Sequence, residues 1–277
     1  HLDITTSTPE RFATKGGVSR PNWLKVVVGA LNHGFVVVMI NDVSDEVRFI
    51  RTRDSFIVSI SEQLLAPTHA LGALADELER GSLDQQAIAG ASHRVRVTCD
   101  KLNHMVADLL LLIKAQKPVT PSSANRIDAT VLVTDTVERL RAEAERAGVA
   151  VHVSGNDHVI INGDASQIDS AVTKLVENAV RYSDPGQSVS VSASLAKDGE
   201  HAVIRVIDQG KGISRDEQQH IFERFYRGAV QSKRTEDGVG LGLAIVKHVA
   251  LTHHGDVTVW SMPGSGSTFT LTLPLAR

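Results

Sequence analysis

The sequence predicts an α+β protein: an antiparallel helical hairpin, built to pair into a dimeric four-helix bundle, followed by an α/β sandwich. Two long stretches, one from Ser44 and one from Leu83, repeat apolar residues at helical spacing. From residue 126 onward, helix-period and strand-period segments alternate. Three short glycine-bearing segments punctuate the later strands. A length of 277 residues, 42% hydrophobic and 22% charged, suits two or three globular units. The net charge of −3 gives no electrostatic case for nucleic acid or an anionic membrane surface. A single cysteine, Cys99, excludes an internal disulfide framework and fits a reducing cytosol. Apolar runs such as 35–40 and 109–113 are far too short to span about 30 Å of hydrocarbon. The chain opens at His1 rather than Met, which reads as a piece of something larger. The expected location is therefore cytoplasmic, as a free protein or as the cytoplasmic part of a membrane-bound one, with membrane contact only through upstream segments.

Residues 1–43 carry two apolar runs, 23–29 and 34–40, separated by the turn signal Asn32-His33-Gly34. They predict one or two hairpins, too small to stand alone comfortably. From Ser44 the period changes: Val47, Ile50, Ile57, Ile60, Leu64 and Leu71 recur at helical spacing. Ser44 is the expected N-cap and Gly81 the expected stop. Pro67 falls inside this helix and should kink it, because it removes an amide donor and crowds the preceding turn. A second stripe begins near Leu83, runs through Ile88, Val95, Leu102, Leu109 and Leu112, and ends before Pro118. Each helix has apolar residues to spare for one neighbour. Pairing two hairpins covers them, which predicts a homodimer over 44–117. The alternative is that the hairpin packs on the carboxy-terminal domain of its own chain. After a Pro/Ser-containing linker, 126–277 predicts helices at 129–147, 165–182 and 240–254. The expected strands are 149–153, 159–161, 189–195, 202–208, 256–261 and 267–273. This is a mixed sheet with helices on one face.

The chemistry sits on the glycine segments. Asp208-Gln209-Gly210-Lys211-Gly212 follows a strand, so its carboxylate, in a tight turn, can accept a hydrogen bond from an adenine amino group. Gly238-Val239-Gly240-Leu241-Gly242 precedes a helix; glycines there let backbone amides approach phosphates, and the helix N-terminus adds partial positive charge. Gly264-Ser265-Gly266-Ser267-Thr268 opens the last strand. Any one of these alone reads as a plain turn; their order and spacing carry more.

Leu175-Val176-Glu177-Asn178-Ala179-Val180-Arg181-Tyr182-Ser183 resembles the N box of the GHKL ATP-binding fold of sensor histidine kinases, type II topoisomerases and Hsp90-like chaperones. Asp208 to Gly212 resembles its G1 box, Ile221-Phe222-Glu223-Arg224-Phe225-Tyr226-Arg227 its F box, and Gly238 to Leu243 its G2 box. The F box and the run continuing Ala244-Ile245-Val246-Lys247 are particular to histidine kinases. The resemblance implies ATP and Mg²⁺ as cofactors. It implies that Asn178 coordinates Mg²⁺ and that Asp208 reads adenine, with Gly210 and Gly212 shaping the pocket and Thr268 closing it. Arg181 and Tyr182 would touch phosphate and ribose. Residues 222–237 would form a lid, with Arg227 available for the γ-phosphate, and Gly238, Gly240, Leu241 and Gly242 would line the phosphates. Residues 36–44 resemble the last strand and exit motif of a PAS sensor domain, of which 1–43 would be a partial copy.

The phosphoacceptor helix is where the resemblance breaks. Phe56, Ser61, Leu64 and Pro67 match the family pattern, but Glu62 stands where the acceptor histidine belongs. Gln63 replaces its acidic neighbour, and Ala66 the Thr or Asn that positions water for dephosphorylating a partner. Lys174 replaces a second Mg²⁺-binding Asn of the N box, and its ammonium would compete with the cation. His69 lies seven positions after Glu62 and faces within about 20° of the same direction, two turns along and beyond Pro67. The expectation is a sensor histidine kinase by architecture whose autophosphorylation is lost or low. It would signal as a homodimer by docking a response-regulator receiver domain or another histidine kinase. Two alternatives stand: an active kinase carrying an engineered His-to-Glu substitution at the acceptor, and a GHKL ATPase of the chaperone or topoisomerase class. The catalytic Glu those ATPases carry where Lys174 stands is missing here.

Overall fold

A computed structural model describes residues 2–7, 21–30, 36–79, 84–114, 119, 122, 125–155, 158–228 and 240–276. The chain forms two compact units, His1–Ala66 and Pro67–Arg277. In the first, strands β1 (Leu2–Ser7), β2 (Pro21–Ala30) and β3 (Val36–Asp42) make an antiparallel sheet in that order. Strands β2 and β3 are the two apolar runs; the Asn32-His33-Gly34 turn between them lies outside the described residues. Strand β1, whose large apolar residues are Leu2 and Ile4, has too little pattern to announce itself and is defined by its pairing with β2.

The sheet hands over to α1 (Ser44–Glu79) through Asp42-Val43-Ser44. Asp42 Oδ1 accepts the Ser44 amide at 2.9 Å. The buried Ser44 hydroxyl accepts from the Trp23 amide at 2.8 Å and donates to the Trp23 carbonyl at 3.4 Å. Ser44 therefore rivets the helix start to β2 instead of serving as the expected cap, because the neighbouring strand offers its hydroxyl both a donor and an acceptor. Helix α1 continues through Pro67. Helix α2 (Gln85–Lys114) begins behind Asp84, whose Oδ1 accepts the Ala87 amide at 2.7 Å, a side-chain cap at the third helical amide. Gly81 and Leu83 lie outside the described residues.

The second unit contains a five-stranded mixed sheet ordered β5-β7-β8-β10-β9, from β5 (Ala150–Ser154), β7 (Ser188–Leu195), β8 (His201–Asp208), β9 (Asp256–Met262) and β10 (Gly266–Pro274). The β5–β7 pair is parallel and the others antiparallel. A short ribbon pairs β4 (Arg126–Asp128) with β6 (Ile160–Asn162). Helices α3 (Ala129–Ala147), α4 (Ala165–Tyr182) and α6 (Gly242–Thr252) cover the sheet, and α5 (Arg215–Gln218) is a single turn. Strand alternation aims one row inward: Val191 pairs with Val206 and Phe269 follows across β10, while Ala193, Ile204 and Leu271 form the next rank. All six are nearly inaccessible, and they meet the buried stripe of α4 that includes Ile168, Val172, Leu175 and Val176. Part of the α2 stripe (Met105, Leu109 and Leu112) is also buried, and α2 packs against α6 of the same chain. That is the contact the alternative reading of the hairpin anticipated. Among the described residues, no helix is long and apolar enough to cross a membrane.

Candidate nucleotide site

Helical periodicity on α4 separates core from chemistry. Its buried stripe faces the sheet, so Lys174, Asn178 and Arg181, at i, i+4 and i+7, share the opposite edge. Strand periodicity on β8 places the carboxylate: Asp208 pairs with Val189 and Ser267, so it is the last member of the inward row. Asp208 is 6% exposed. Its Oδ1 accepts the Gly210 amide at 2.9 Å and the Ser267 amide at 3.2 Å. Burial pushes its pKa above the ordinary carboxylate value, against the opposing pull of the Gly210 and Ser267 amides.

Two turns of the site demand glycine. Gly212 has φ +70, and a Cβ there would be driven into the Met262 carbonyl. Gly240 has φ +76 and sits against the Phe225 and Tyr226 backbone, where the Phe225 amide donates to its carbonyl at 2.8 Å. This ties the end of the F box to the start of the G2 segment.

Asp208 opens onto a cavity of about 310 Å³, bounded by Asn178, Tyr182, Gly212, Ser267 and Phe269. A second cavity of about 420 Å³ adjoins it, lined by Lys174, Arg181, Gly240, Leu241, Gly242 and, from α2, Asp108. Asn178, Tyr182, Tyr226, Arg227 and Leu243 border both. The first takes its walls mostly from apolar and backbone groups, whereas the second gathers charged side chains, a division that matches a base beside a polyanion. Gly210 packs its backbone on the Tyr182 carbonyl, and Lys211 Nζ lies 5.2 Å from the centre of the Tyr182 ring. The structure thus brings Asn178, Arg181, Tyr182, Asp208, Gly212, Arg227, Gly240, Leu241 and Gly242 around two adjoining spaces, with Gly210 behind them against the Tyr182 carbonyl and lining neither. Gly238 lies outside the described residues.

Thr268 does not line either cavity. It pairs with Ile207 and Trp260, both exposed, so alternation turns it to the outer face, and Ser267 is the residue of β10 that bonds Asp208. Sequence reasoning also missed Ser214 and Glu217, which line the first cavity. They form a capping box on α5: Ser214 Oγ accepts the Glu217 amide at 3.3 Å, and Glu217 Oε2 accepts the Ser214 amide at 3.2 Å. The Ser-x-x-Glu spacing was the available signal. Asp108 had none, because it belongs to another helix remote in sequence.

The N-box edge fits Mg²⁺ poorly. Asn178 offers an amide oxygen, but Lys174 places an ammonium one turn away, 3.0 Å from Asp108 Oδ1 and 3.5 Å from Glu177 Oε2. The carboxylates that would attract a hard cation are already paired with a lysine. Among the described residues, no group of three or more His, Cys, Asp or Glu side chains is arranged to hold a metal ion. On α1, Glu62, Gln63 and Ala66 are all exposed, and the Ser61 hydroxyl donates to the Ile57 carbonyl at 2.9 Å.

A family model described as histidine kinase-, DNA gyrase B-, and HSP90-like ATPase matches residues 163–277. The sensor-like histidine kinase SenX3 of Mycobacterium tuberculosis (strain ATCC 25618 / H37Rv) is 36% identical over 240 residues, covering 87% of this chain and 58% of that protein. The Acinetobacter baumannii histidine kinase AdeS superposes with a TM-score of 0.59 at 20% identity, over 78% of this chain and 98% of that one. Full-length ShkA in complex with AMPPNP gives a TM-score of 0.56 at 23% identity, over 81% of this chain and 46% of that one. At such identities these two structures speak to fold alone. The chain spans a little over half the length of SenX3. Kinship with SenX3 over most of this chain and the ATPase-family match over 163–277 place this chain among the bacterial sensor histidine kinases, with a GHKL-type domain at its carboxy-terminal end.

Proposed function

We propose that this chain binds ATP and signals as a dimer, without phosphorylating itself on the ordinary acceptor helix. The observation that carries the nucleotide reading is Asp208, a carboxylate buried at the end of the inward sheet row and facing a cavity of about 310 Å³. Burying a charge there is unfavourable unless a partner repays it, and an adenine amino group supplies that partner. Arg181 and Arg227 line the adjoining cavity, where the amino-terminal end of α6 adds its dipole for phosphates. Tyr182 borders both spaces and would flank the ribose. Asn178 remains an oxygen donor for Mg²⁺, so the metal's contribution should be small. The ShkA structure of the same fold is a complex with AMPPNP.

The chain divides on this reading into a partial PAS-like segment (1–43), a dimerisation hairpin (44–117) and the catalytic domain (126–277). Loss of autophosphorylation rests on Glu62: an imidazole nitrogen can hold a phosphoryl group, whereas a glutamate would form an acyl phosphate with Gln63 and Ala66 giving it no support. Output then passes through docking of a response-regulator receiver domain or another histidine kinase. Calorimetric titration with ATP, with and without Mg²⁺, combined with incubation in labelled ATP, tests both halves. Saturable binding without acid-labile phosphate on the protein is expected. Absence of binding would remove the nucleotide reading. Acid-labile phosphate would overturn the loss of autokinase activity, and a Glu62→His chain that regains it locates the lesion at the acceptor.

A further inference from the structure

Lys174 occupies the position from which the family binds metal, yet it is built into the site. Its side chain is 19% exposed, that of Asp108 16% and that of Glu177 26%, so this is a largely desolvated cluster and not a surface ion pair. Burial pushes the Lys174 ammonium down, but Glu177 and Asp108 outweigh it and hold the pKa above the ordinary lysine value, so the charge is present at neutral pH. A Cβ added at Gly242 would lie 3.7 Å from Lys174 Cδ and 3.8 Å from Asn178 Nδ2. Lys174 and Asn178 therefore flank the first residue of α6, where a phosphate would meet the helix amides.

Beside Lys174 the same cavity holds Lys101, Arg181 and Arg227, but also Asp100, Asp108, Glu143 and Glu177, so its cations are matched by carboxylates. With no surplus of positive charge, a polyphosphate gains most there by bringing a cation or displacing a carboxylate. Asp108 is the carboxylate in contact with the ammonium that comes from another helix, so it can leave with α2 while α4 stays packed on the sheet. We propose that Lys174 is the phosphate-binding cation of this site, standing in for the divalent metal, and that Asp108 of α2 is its intramolecular competitor. Phosphate arrival exchanges one oxyanion for another at Lys174 and frees the Asp108 side chain of α2 from α4. Nucleotide occupancy is thereby reported to the hairpin helix. This inference rests on the nucleotide reading above.

The test is a double-mutant cycle on the full chain, titrating ATP in EDTA and again with Mg²⁺. The wild-type chain is expected to bind ATP in EDTA nearly as well as with Mg²⁺. Asp108→Asn should tighten binding in EDTA by roughly fivefold to tenfold, since the phosphate no longer competes with a charge. Lys174→Asn should weaken it by a similar factor, make binding respond to Mg²⁺, and cancel the effect of Asp108→Asn. Lys174→Gln, which keeps a long side chain, substitutes if the first lysine variant melts early. Unchanged or weaker binding by Asp108→Asn, or Mg²⁺-free affinity indifferent to loss of the lysine charge, would overturn the inference while leaving the pocket intact. If ATP binds no variant and Asp208→Asn changes nothing, the nucleotide reading fails instead.

Discussion

Replacing Asp208 by asparagine exchanges one carboxylate oxygen for an amide nitrogen and leaves the shape of the turn alone. The asparagine carbonyl can still accept the Gly210 and Ser267 amides that Oδ1 accepts now. Its amino group then meets the adenine amino group, donor against donor. Because burial raises the folded pKa of Asp208 above its unfolded value, its charge costs stability as pH rises through that pKa, and the full cost is felt at neutral pH. Asp208→Asn should therefore melt at the same temperature or higher at pH 7 while ATP affinity falls at least about tenfold. Unchanged affinity by calorimetry would mean that adenine is read elsewhere. A second buried group titrates in the opposite sense. His253 is 2% exposed; its Nε2 accepts the Asp164 amide at 3.0 Å, so Nδ1 carries the proton and donates to the Val249 carbonyl at 2.8 Å. Burial holds its pKa below the ordinary 6.5. The stability it contributes is complete above about pH 6.5 and is lost as pH falls toward and through the folded value. Thermal melts from pH 8 to pH 5 should show that decline, and His253→Asn should flatten it from a lower starting stability. Asp208 was legible because a carboxylate closing a strand before two glycines is a compact pattern. Lys174 stood out by its place in the N box, but its partner Asp108, like the distant partners of His253 and Ser267, lies far away in sequence.

Among the elements, legibility followed the strength of local signals. Helices α3 and α4 begin and end where the pattern places them, because each combines an amphipathic stripe with an aspartate cap, Asp128 or Asp164. Helix α6 starts later than its apolar run, since Gly240 at φ +76 cannot be helical. Strand β4 and helix α5 escaped notice for opposite reasons. Strand β4 is three residues defined by pairing with β6, while α5 is a single turn whose capping box was written in the sequence and passed over. The turn from β8 to α5 is the element on which the first cavity most depends. Gly212→Ala combines a left-handed backbone with overlap on the Met262 carbonyl. It should cost about 1–3 kcal/mol, lower the melting temperature and weaken ATP binding, because Asp208 and Ser214 flank this turn. A variant as stable and as tight as the wild type would show that the turn relaxes freely.

At the scale of the molecule, the hairpin stripe explains more than one chain can use. Met105, Leu109 and Leu112 are spent within the chain, yet Ile88, Val106, Leu110 and Ile113 remain about half exposed on α2. On a helical projection these four fall within about 60° of one another, a continuous apolar strip beside the buried one. On α1, Ile57 and Leu65 are likewise more than half exposed. A second copy of the chain is the occupant proposed for such a strip, since symmetry sets the same apolar row against itself. Leu110→Glu with Ile113→Glu removes two contacts from each subunit. At about 1.5–3 kcal/mol for each large apolar side chain fully buried, the dissociation constant should rise at least about a hundredfold. Sedimentation equilibrium should find the wild-type chain dimeric at micromolar concentration and the double variant monomeric. Because both positions face solvent within the chain, the variant should keep its helical circular dichroism and its ATP affinity. A wild-type monomer, or a variant that stays dimeric, would return the hairpin to the other arrangement, in which α2 serves only as a lid on the catalytic domain of its own chain.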